Sequence, residues 1–159
     1  MKRLYVLLLS FLAFNFSVQA QTAAGISDDD LKKYAVTMDS IRVMQETLQQ
    51  IVAENVQKNT VMTVARFNQL YKISSDEAKL TEANATAEEK AFMKEVESLR
   101  LYNIERINAA YQALAKEYIG LKAFNAIKKS LETDANLKAR YERINTEVQS
   151  SGNKTLQKG

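Results

Sequence analysis

The stretch SDDDLKKYAVTMDSIRVMQETLQQI, residues 27–51, decides the fold of this chain. It opens with Ser27 and three aspartates, an order typical of a helix N-cap followed by acids that complement the helix dipole. Apolar residues then recur at steps of three and four, which keeps them on one face of an α-helix. These residues are Leu31, Tyr34, Met38, Ile41, Met44, Leu48 and Ile51. The pattern predicts a long amphipathic helix over residues 28–58, with residues 57–60 as its fraying end.

The composition of the chain extends this prediction beyond the first helix. The 159 residues include no proline and only four glycines. Because these two residue types mark most turns and strand ends, a chain so poor in them has few ways to build a β-protein. The sequence therefore predicts an all-α fold, a helical bundle.

The arrangement of the first helix starts again at Thr86. Thr86 and Glu89 have the spacing of a capping box, which predicts a second long helix. Its predicted apolar stripe consists of Met93, Val96, Ile104, Ile107, Tyr111, Leu114 and Tyr118. Gly120 is predicted to interrupt this helix, a short helix follows, and a last helix is predicted to open at Asp134.

A short sequence also recurs, ARFNQLYK at residues 65–72 and KAFNAIKK at residues 122–129, 57 positions later. Each copy is predicted to lie on a short helix, and its phenylalanine, Phe67 or Phe124, takes the fourth helical position. There it forms a hydrophobic staple with the residue before the cap, which fixes the angle at which the chain enters the helix. The predicted staple partners are Met62 before the cap Thr63, and Ile119 before the cap Gly120.

The asparagines of the two copies, Asn68 and Asn125, have two interpretations. The favoured one is a hydrogen bond from each amide to backbone groups that are exposed at the corner. The alternative is that both amides point into a ligand cleft. These two asparagines and the two phenylalanines are the candidate interaction or corner residues of the chain.

The capped starts and the recurring octet together indicate an internal duplication of 57 to 59 residues. The predicted architecture is one domain over residues 26–148, built from two repeats at about 27–80 and 86–148. Each repeat is a helical hairpin of a long and a short helix, and the two bury their apolar stripes against each other. A final short helix completes the domain, and residues 149–159 are predicted to be a disordered polar tail.

The first twenty residues have the order of a secretory signal peptide. A basic start, Met1 to Arg3, precedes an apolar run from Leu4 to Phe16, and small residues precede Gln21. The thirteen-residue run is short for a membrane span of about 20 residues. We therefore expect cleavage between Ala20 and Gln21, a periplasmic or extracellular location, and no stable membrane span afterwards.

Charge argues against a nucleic-acid partner. Loss of Lys2 and Arg3 with the signal peptide reduces the 22 basic residues to 20, against 19 acidic ones. Nucleic-acid binding proteins concentrate basic residues on one face, and no such face is predicted here. Residues 116–159 carry 9 basic and 5 acidic groups. This mild excess suits an acidic partner, but ordinary solvated helix faces explain it more simply.

The residue types that most enzymes use are missing. The chain has no histidine and no cysteine, which excludes a Ser-His-Asp triad, a thiol nucleophile and imidazole or thiolate metal sites. No glycine-rich phosphate loop occurs. The carboxylates have the spacing of helix surfaces and first helical turns. We therefore predict no catalytic, cofactor-binding or metal residues, no cofactor, and a protein that is not an enzyme.

Four segments resemble the secreted bacterial proteins grouped as domain-of-unknown-function family 4168. They are SDDDLKKYA at residues 27–35, TVARFNQLYK at 63–72, TAEEKAFMKEVESL at 86–99 and GLKAFNAIKKSLETDANLKARYERI at 120–144. The first corner departs from the family pattern, since Asn59 and Thr60 stand where a glycine would be expected. The resemblance implies a bacterial envelope setting and no known activity.

Two functions therefore remain as hypotheses. The favoured one is a non-enzymatic secreted or periplasmic protein that binds another envelope protein or itself, or helps to maintain the envelope, in one version as a chaperone. The alternative is a helical bundle that binds a small ligand or a lipid, or a weak hydrolase built on carboxylates. A filled core without a cleft beside Asn68 or Asn125 would count against this alternative.

Overall fold

The computed structural model describes residues 25–156, and all regular secondary structure in this range is helical. The elements are α1 (Asp28–Lys58), α2 (Val64–Tyr71), α3 (Glu77–Glu82), α4 (Ala87–Ala113), a π-helical segment (Leu114–Ile119), α5 (Leu121–Thr133) and α6 (Ala135–Leu156). The predicted all-α helical bundle is confirmed. The predicted signal peptide, residues 1–20, lies outside the described residues.

Side-chain caps fix the starts of the two long helices, as predicted. At α1 the hydroxyl of Ser27 accepts a hydrogen bond from the Asp30 amide at 3.0 Å, and the Asp30 carboxylate accepts one from the Ser27 amide at 3.2 Å. Thr86 and Glu89 form the same capping box at the start of α4. These bonds satisfy amides that have no partner within the helix.

Helices α1 and α4 run antiparallel and join two separate hydrophobic clusters. The α5 cluster consists of Leu31, Tyr34, Ala35, Ala115, Phe124, Ile127, Leu137 and Ile144. The α2 cluster consists of Val56, Phe67, Leu70, Leu80, Met93 and Val96. The start of α1 thus packs beside the segment after α4, and the end of α1 packs beside the start of α4. The short helices α2 and α5 lie at opposite ends of this pair.

The π-helical segment changes which residues are buried after α4, so the predicted apolar stripe is wrong at Tyr118. Tyr118 was expected in the core but is 44% exposed, whereas Ala115 is buried and Ile119 packs against the α5 cluster. A π-turn contains one residue more than an α-turn because its hydrogen bonds span five residues. Beyond Tyr111 the buried positions are therefore shifted by one residue from the α-helical pattern.

Both predicted corners are present. Thr63 caps α2 and accepts a hydrogen bond from the Arg66 amide at 3.1 Å, and Met62 packs against the cluster that contains Phe67. Gly120 occupies the cap position of α5 with a φ angle of +88°, which side chains of L-residues rarely adopt. Around this second corner, Phe124 belongs to the α5 cluster and Ile119 packs against it.

The amide that holds the first corner belongs to Asn59, not to Asn68. The side-chain oxygen of Asn59 accepts hydrogen bonds from the amides of Val61 at 3.0 Å and Met62 at 2.9 Å. Its side-chain nitrogen donates to the Val56 carbonyl. Asn68 and Asn125 are exposed, and neither side-chain amide makes a hydrogen bond within residues 25–156. The favoured interpretation of these two asparagines is therefore wrong.

The last helix opens as predicted but continues further than expected. The Asp134 carboxylate accepts hydrogen bonds from the amides of Asn136 and Leu137, both at 2.9 Å. Helix α6 then extends to Leu156, so the predicted disordered tail is wrong for residues 149–156. No proline ends the helix, and the Ser150 hydroxyl bonds back to the Glu147 carbonyl at 2.9 Å.

The predicted duplication into two hairpins is not established by this architecture. Both halves begin with a capped long helix and a short helix. They then differ, because the first half continues with the 6-residue α3 and the second half with the 22-residue α6. Helix α6 packs against the first part of α1, where Arg140 donates to the Asp28 carboxylate at 2.6 Å. The repeat therefore stays a prediction.

We predict that Phe67→Ala destabilises the protein strongly. Phe67 is 5% exposed, and its ring centroid lies 5.3 Å from that of Tyr71 and 5.9 Å from that of Phe92. Truncation leaves a cavity beside these rings and should lower the free energy of unfolding by about 3–5 kcal/mol. Urea denaturation measures this change, and a loss below about 1 kcal/mol would contradict the assignment of Phe67 to the core.

The corner assignment generates a second prediction, which compares two asparagines. Asn59→Ala removes three hydrogen bonds at the corner and should lower the free energy of unfolding by about 1–3 kcal/mol. Asn68→Ala, the same chemical change nine residues away, should alter it by less than about 0.5 kcal/mol. Equal losses for the two variants in the same urea titration would refute the role of Asn59.

Candidate binding clefts

One cleft, here called the α2 cleft, lies between the second half of α1, helix α2 and the middle of α4. Its volume is about 570 Å³. It is lined by Gln45, Leu48, Gln49, Val52, Ala53, Val56, Gln57, Val64, Phe67, Asn68, Tyr71, Arg100 and Ile104. The cleft therefore lies beside one of the two asparagines that the sequence singled out.

The bottom of the α2 cleft is apolar because helical spacing aligns its residues. Leu48, Val52 and Val56 follow one another at four-residue steps on the same face of α1. Phe67 and Tyr71 have the same spacing on α2, and their rings stack with an interplanar angle of 19°. Partly covered apolar surface of this kind favours a ligand that removes it from water.

The rim of the α2 cleft carries amides and a single charge. The amide side chains of Gln45, Gln49, Gln57 and Asn68 are all exposed. Two acids on the same part of α1, Glu46 and Glu54, do not line the cleft and instead pair with Arg42 and Lys58. Among the lining residues only Arg100 is charged. This depletion of charge is typical of the centres of binding interfaces.

Arg100 already has a hydrogen-bond partner and an ion-pair partner at the edge of the cleft. Its Nη1 donates to the Tyr71 hydroxyl at 3.1 Å, and the Tyr71 hydroxyl donates to Glu97 Oε2 at 3.0 Å. Arg100 also forms an ion pair with Glu97 at 3.3 Å. Burial and the neighbouring Glu97 carboxylate raise the pKa of Tyr71. Tyr71 is therefore neutral at physiological pH and acts as a hydrogen-bonding group.

One ion pair holds α2 against the start of α4. Arg66 donates from Nε and Nη2 to the two carboxylate oxygens of Glu89 at 2.8 and 3.0 Å. Arg66 Nη2 also donates to the carbonyls of Ala83 and Asn84 at 3.0 and 3.2 Å. Glu89 is 8% exposed and also accepts the Thr86 amide at 2.9 Å. The bidentate pairing compensates for the desolvation of both charges.

A second cleft, here called the α5 cleft, lies between the π-helical segment and α5 and has a volume of about 390 Å³. It is lined by Tyr111, Gln112, Ala115, Lys116, Leu121, Phe124, Asn125 and Lys128. The four residues predicted from the recurring octet are thus divided between two clefts. Phe67 and Asn68 line the α2 cleft, and Phe124 and Asn125 line the α5 cleft.

Sequence reasoning missed the residues that complete the clefts. Arg100 and Tyr71 lie 29 positions apart, and only the docking of α2 on α4 brings them together. One indication was present in the sequence. Gln45, Gln49 and Gln57 have the spacing of one helix face, and a charge-free face on an otherwise charged helix marks a candidate interface.

Neither a metal-binding group of side chains nor a membrane-spanning helix is present in residues 25–156. Between residues 25 and 156, no group of three or more acidic, histidine or cysteine side chains is placed to hold a metal ion. None of the helices in the same range has an apolar stretch of the length that a bilayer crossing requires.

Comparison of the chain with protein-family models, with curated proteins and with solved structures found no match in any of the three. The resemblance to domain-of-unknown-function family 4168 therefore stays a prediction.

The Arg66–Glu89 pair generates a prediction about pH. The hydrogen bonds from Arg66 and from the Thr86 amide hold the pKa of Glu89 below its usual 4.5. A lowered folded-state pKa contributes stability above the unfolded-state pKa, and this contribution is lost as the pH falls through the folded-state pKa. Glu89→Gln should therefore lower the free energy of unfolding most near pH 7, and the difference from the wild type should shrink towards about pH 3.

Urea denaturation across this pH range tests the expectation. The matched control is Glu88→Gln, since Glu88 is exposed and makes no ion pair or hydrogen bond in the described part of the chain. A cost of Glu89→Gln that does not change with pH, or that Glu88→Gln reproduces, would show that the Glu89 charge is not the stabilising feature.

Proposed function

We propose that this protein is a non-enzymatic binding protein of the bacterial envelope that holds apolar segments of other polypeptides in its α2 cleft. The observation that carries the proposal is the apolar bottom of this cleft beneath a rim that is free of charge except for Arg100. Apolar burial supplies affinity without requiring one particular sequence. A protein of this kind acts as a holdase, which keeps exposed segments of its clients from aggregating.

The shape of the cleft suits a polypeptide segment. Its α1 wall extends from Gln45 to Gln57, three turns of helix or about 18 Å. This length accommodates a short amphipathic helix, which would pack its apolar side chains against the row from Leu48 to Val56. The rim amides can both donate and accept hydrogen bonds, so they suit the polar groups that flank such a segment.

The predicted signal peptide and the resemblance to secreted proteins support the envelope setting of this proposal. A periplasmic or extracellular location would bring the cleft into contact with newly exported chains. The partner is then another envelope protein, and maintenance of the envelope is the role that follows from binding it.

A second candidate function is the binding of a small apolar ligand or a lipid. It is favoured by the volume of the α2 cleft, about 570 Å³, which falls within the usual range for small-molecule sites. Clefts lie beside both Asn68 and Asn125, so the filled core that would have counted against this function is not observed. Arg100 would supply the one cation for an acidic head group.

The proposal predicts that blocking the cleft abolishes protection of clients. Ala53 lines the cleft and is exposed, so Ala53→Trp should fill the groove without disturbing the core. Ala109 on α4 is also exposed and lines neither cleft, so Ala109→Trp is the matched control. Light scattering of an aggregating client at near-stoichiometric protein should show suppression by the wild type and by Ala109→Trp, and at least severalfold less by Ala53→Trp.

Three results would contradict the proposal. The first is a wild-type protein that protects no unfolded client, and the second is equal protection by both tryptophan variants. The third is displacement of an apolar fluorescent dye from the cleft by dodecanoate with no protection of any client. This third result would favour the small-ligand function.

A further inference from the structure

The two clefts are lined by corresponding positions of the two halves of the chain. On the short helices, Val64, Phe67, Asn68 and Tyr71 line the α2 cleft, and the residues 57 positions later line the α5 cleft. Those later residues are Leu121, Phe124, Asn125 and Lys128. The four lining residues of α5 thus all have a lining counterpart on α2.

The same correspondence holds for the long helices. Val52, Ala53, Val56 and Gln57 line the α2 cleft near the end of α1. The residues 59 positions later are Tyr111, Gln112, Ala115 and Lys116, and all four line the α5 cleft. Every lining residue of the α5 cleft therefore has a counterpart that lines the α2 cleft. In both clefts, one wall is the end of a long helix or its π-helical continuation, and the other is the short helix that follows.

The rim of the α5 cleft differs in charge from the rim of the α2 cleft. Lys116 stands where the α2 cleft has Gln57, and Lys128 stands where it has Tyr71. No acidic residue lines the α5 cleft. Neither lysine side chain forms an ion pair or a hydrogen bond with another residue between positions 25 and 156. Two positive charges are therefore available at the rim to an anionic partner.

The bottom of the α5 cleft stays apolar. Phe124 and Ala115 are each 4% exposed, and the ring centroids of Tyr111 and Phe124 lie 5.5 Å apart in an edge-to-face arrangement. Leu121 at the edge is 52% exposed and offers further apolar surface. The amides of Gln112 and Asn125 stand beside the lysines and can bond to peptide groups.

We infer that the α5 cleft is a second binding site, and that it takes an acidic amphipathic segment of polypeptide. Apolar side chains of the segment pack on Tyr111 and Phe124, while its carboxylates pair with Lys116 and Lys128. The inference rests on the proposed function, because it assumes that the chain binds polypeptides. It adds a charge preference, since the α2 cleft accepts neutral apolar segments and the α5 cleft selects those with acidic residues beside apolar ones.

Fluorescence anisotropy of two labelled peptides with the full chain tests this preference. The peptides share one pattern of apolar residues on a helix face and differ in carrying either glutamates or lysines on its flanks. The glutamate peptide should bind more tightly, and its affinity should fall as salt is added. The difference in affinity between the two peptides should persist in the Ala53→Trp variant, because Ala53 lines only the α2 cleft.

Paired lysine variants identify the site. Lys116→Gln with Lys128→Gln should weaken binding of the glutamate peptide about three- to tenfold, as expected for two exposed ion pairs. Lys122→Gln with Lys129→Gln changes the net charge equally on exposed residues outside the α5 cleft and should alter binding less than about twofold. Lys116→Glu with Lys128→Glu should reverse the preference towards the lysine peptide, which a loss of folding could not produce.

Several outcomes would overturn the inference. Equal weakening by the two glutamine pairs would mean that net charge, and not the cleft, attracts the peptide. Binding of dodecanoate in place of either peptide would assign the α5 cleft to anionic amphiphiles. Client protection that depends on Ala53 without any binding of the glutamate peptide would remove this inference and leave the proposed function intact. Peptide binding at Lys116 and Lys128 without client protection would instead support this inference and contradict the proposed holdase function.

Discussion

The antiparallel packing of α1 against α4 is the interaction on which the rest of the structure depends. Each long helix has an apolar stripe that it cannot bury alone, and each stripe is covered by the other helix only in part. The remaining helices complete the burial at the two ends, where α2 closes one cluster and α5 and α6 close the other. The clefts arise where these short helices leave the end of a long helix incompletely covered.

Much of this fold could be predicted because local chemistry determines where the helices begin. Ser27, Thr63, Thr86 and Asp134 accept hydrogen bonds from amides two or three residues away, so the sequence window contains the whole interaction. The shift at Tyr118 and the extension of α6 to Leu156 could not be predicted in this way. The first depends on a π-turn whose register is set by packing, and in the second the helix continues through Gly152, a residue type that commonly ends helices.

The sequence identified only some of the residues that form the candidate sites and the corners beside them. Recurrence pointed to Phe67, Asn68, Phe124 and Asn125, and all four line a cleft, although the asparagines do not hold the corners as expected. The role of Asn59 at the first corner was missed because residues 57–60 were interpreted as the fraying end of a helix. The pairing of Arg66 with Glu89 joins residues 23 positions apart, and no periodicity within one helix reports a contact between two helices.

The Glu89 carboxylate serves two structures at once, since it caps α4 through the Thr86 amide and anchors α2 through Arg66. Fraying of the first turn of α4 would therefore weaken the docking of α2, and undocking of α2 would remove a partner of that turn. We expect the two events to be coupled, with the backbone amides of both segments exchanging with solvent together. Access to the α2 cleft is in this way linked to the local stability of a helix end outside the cleft.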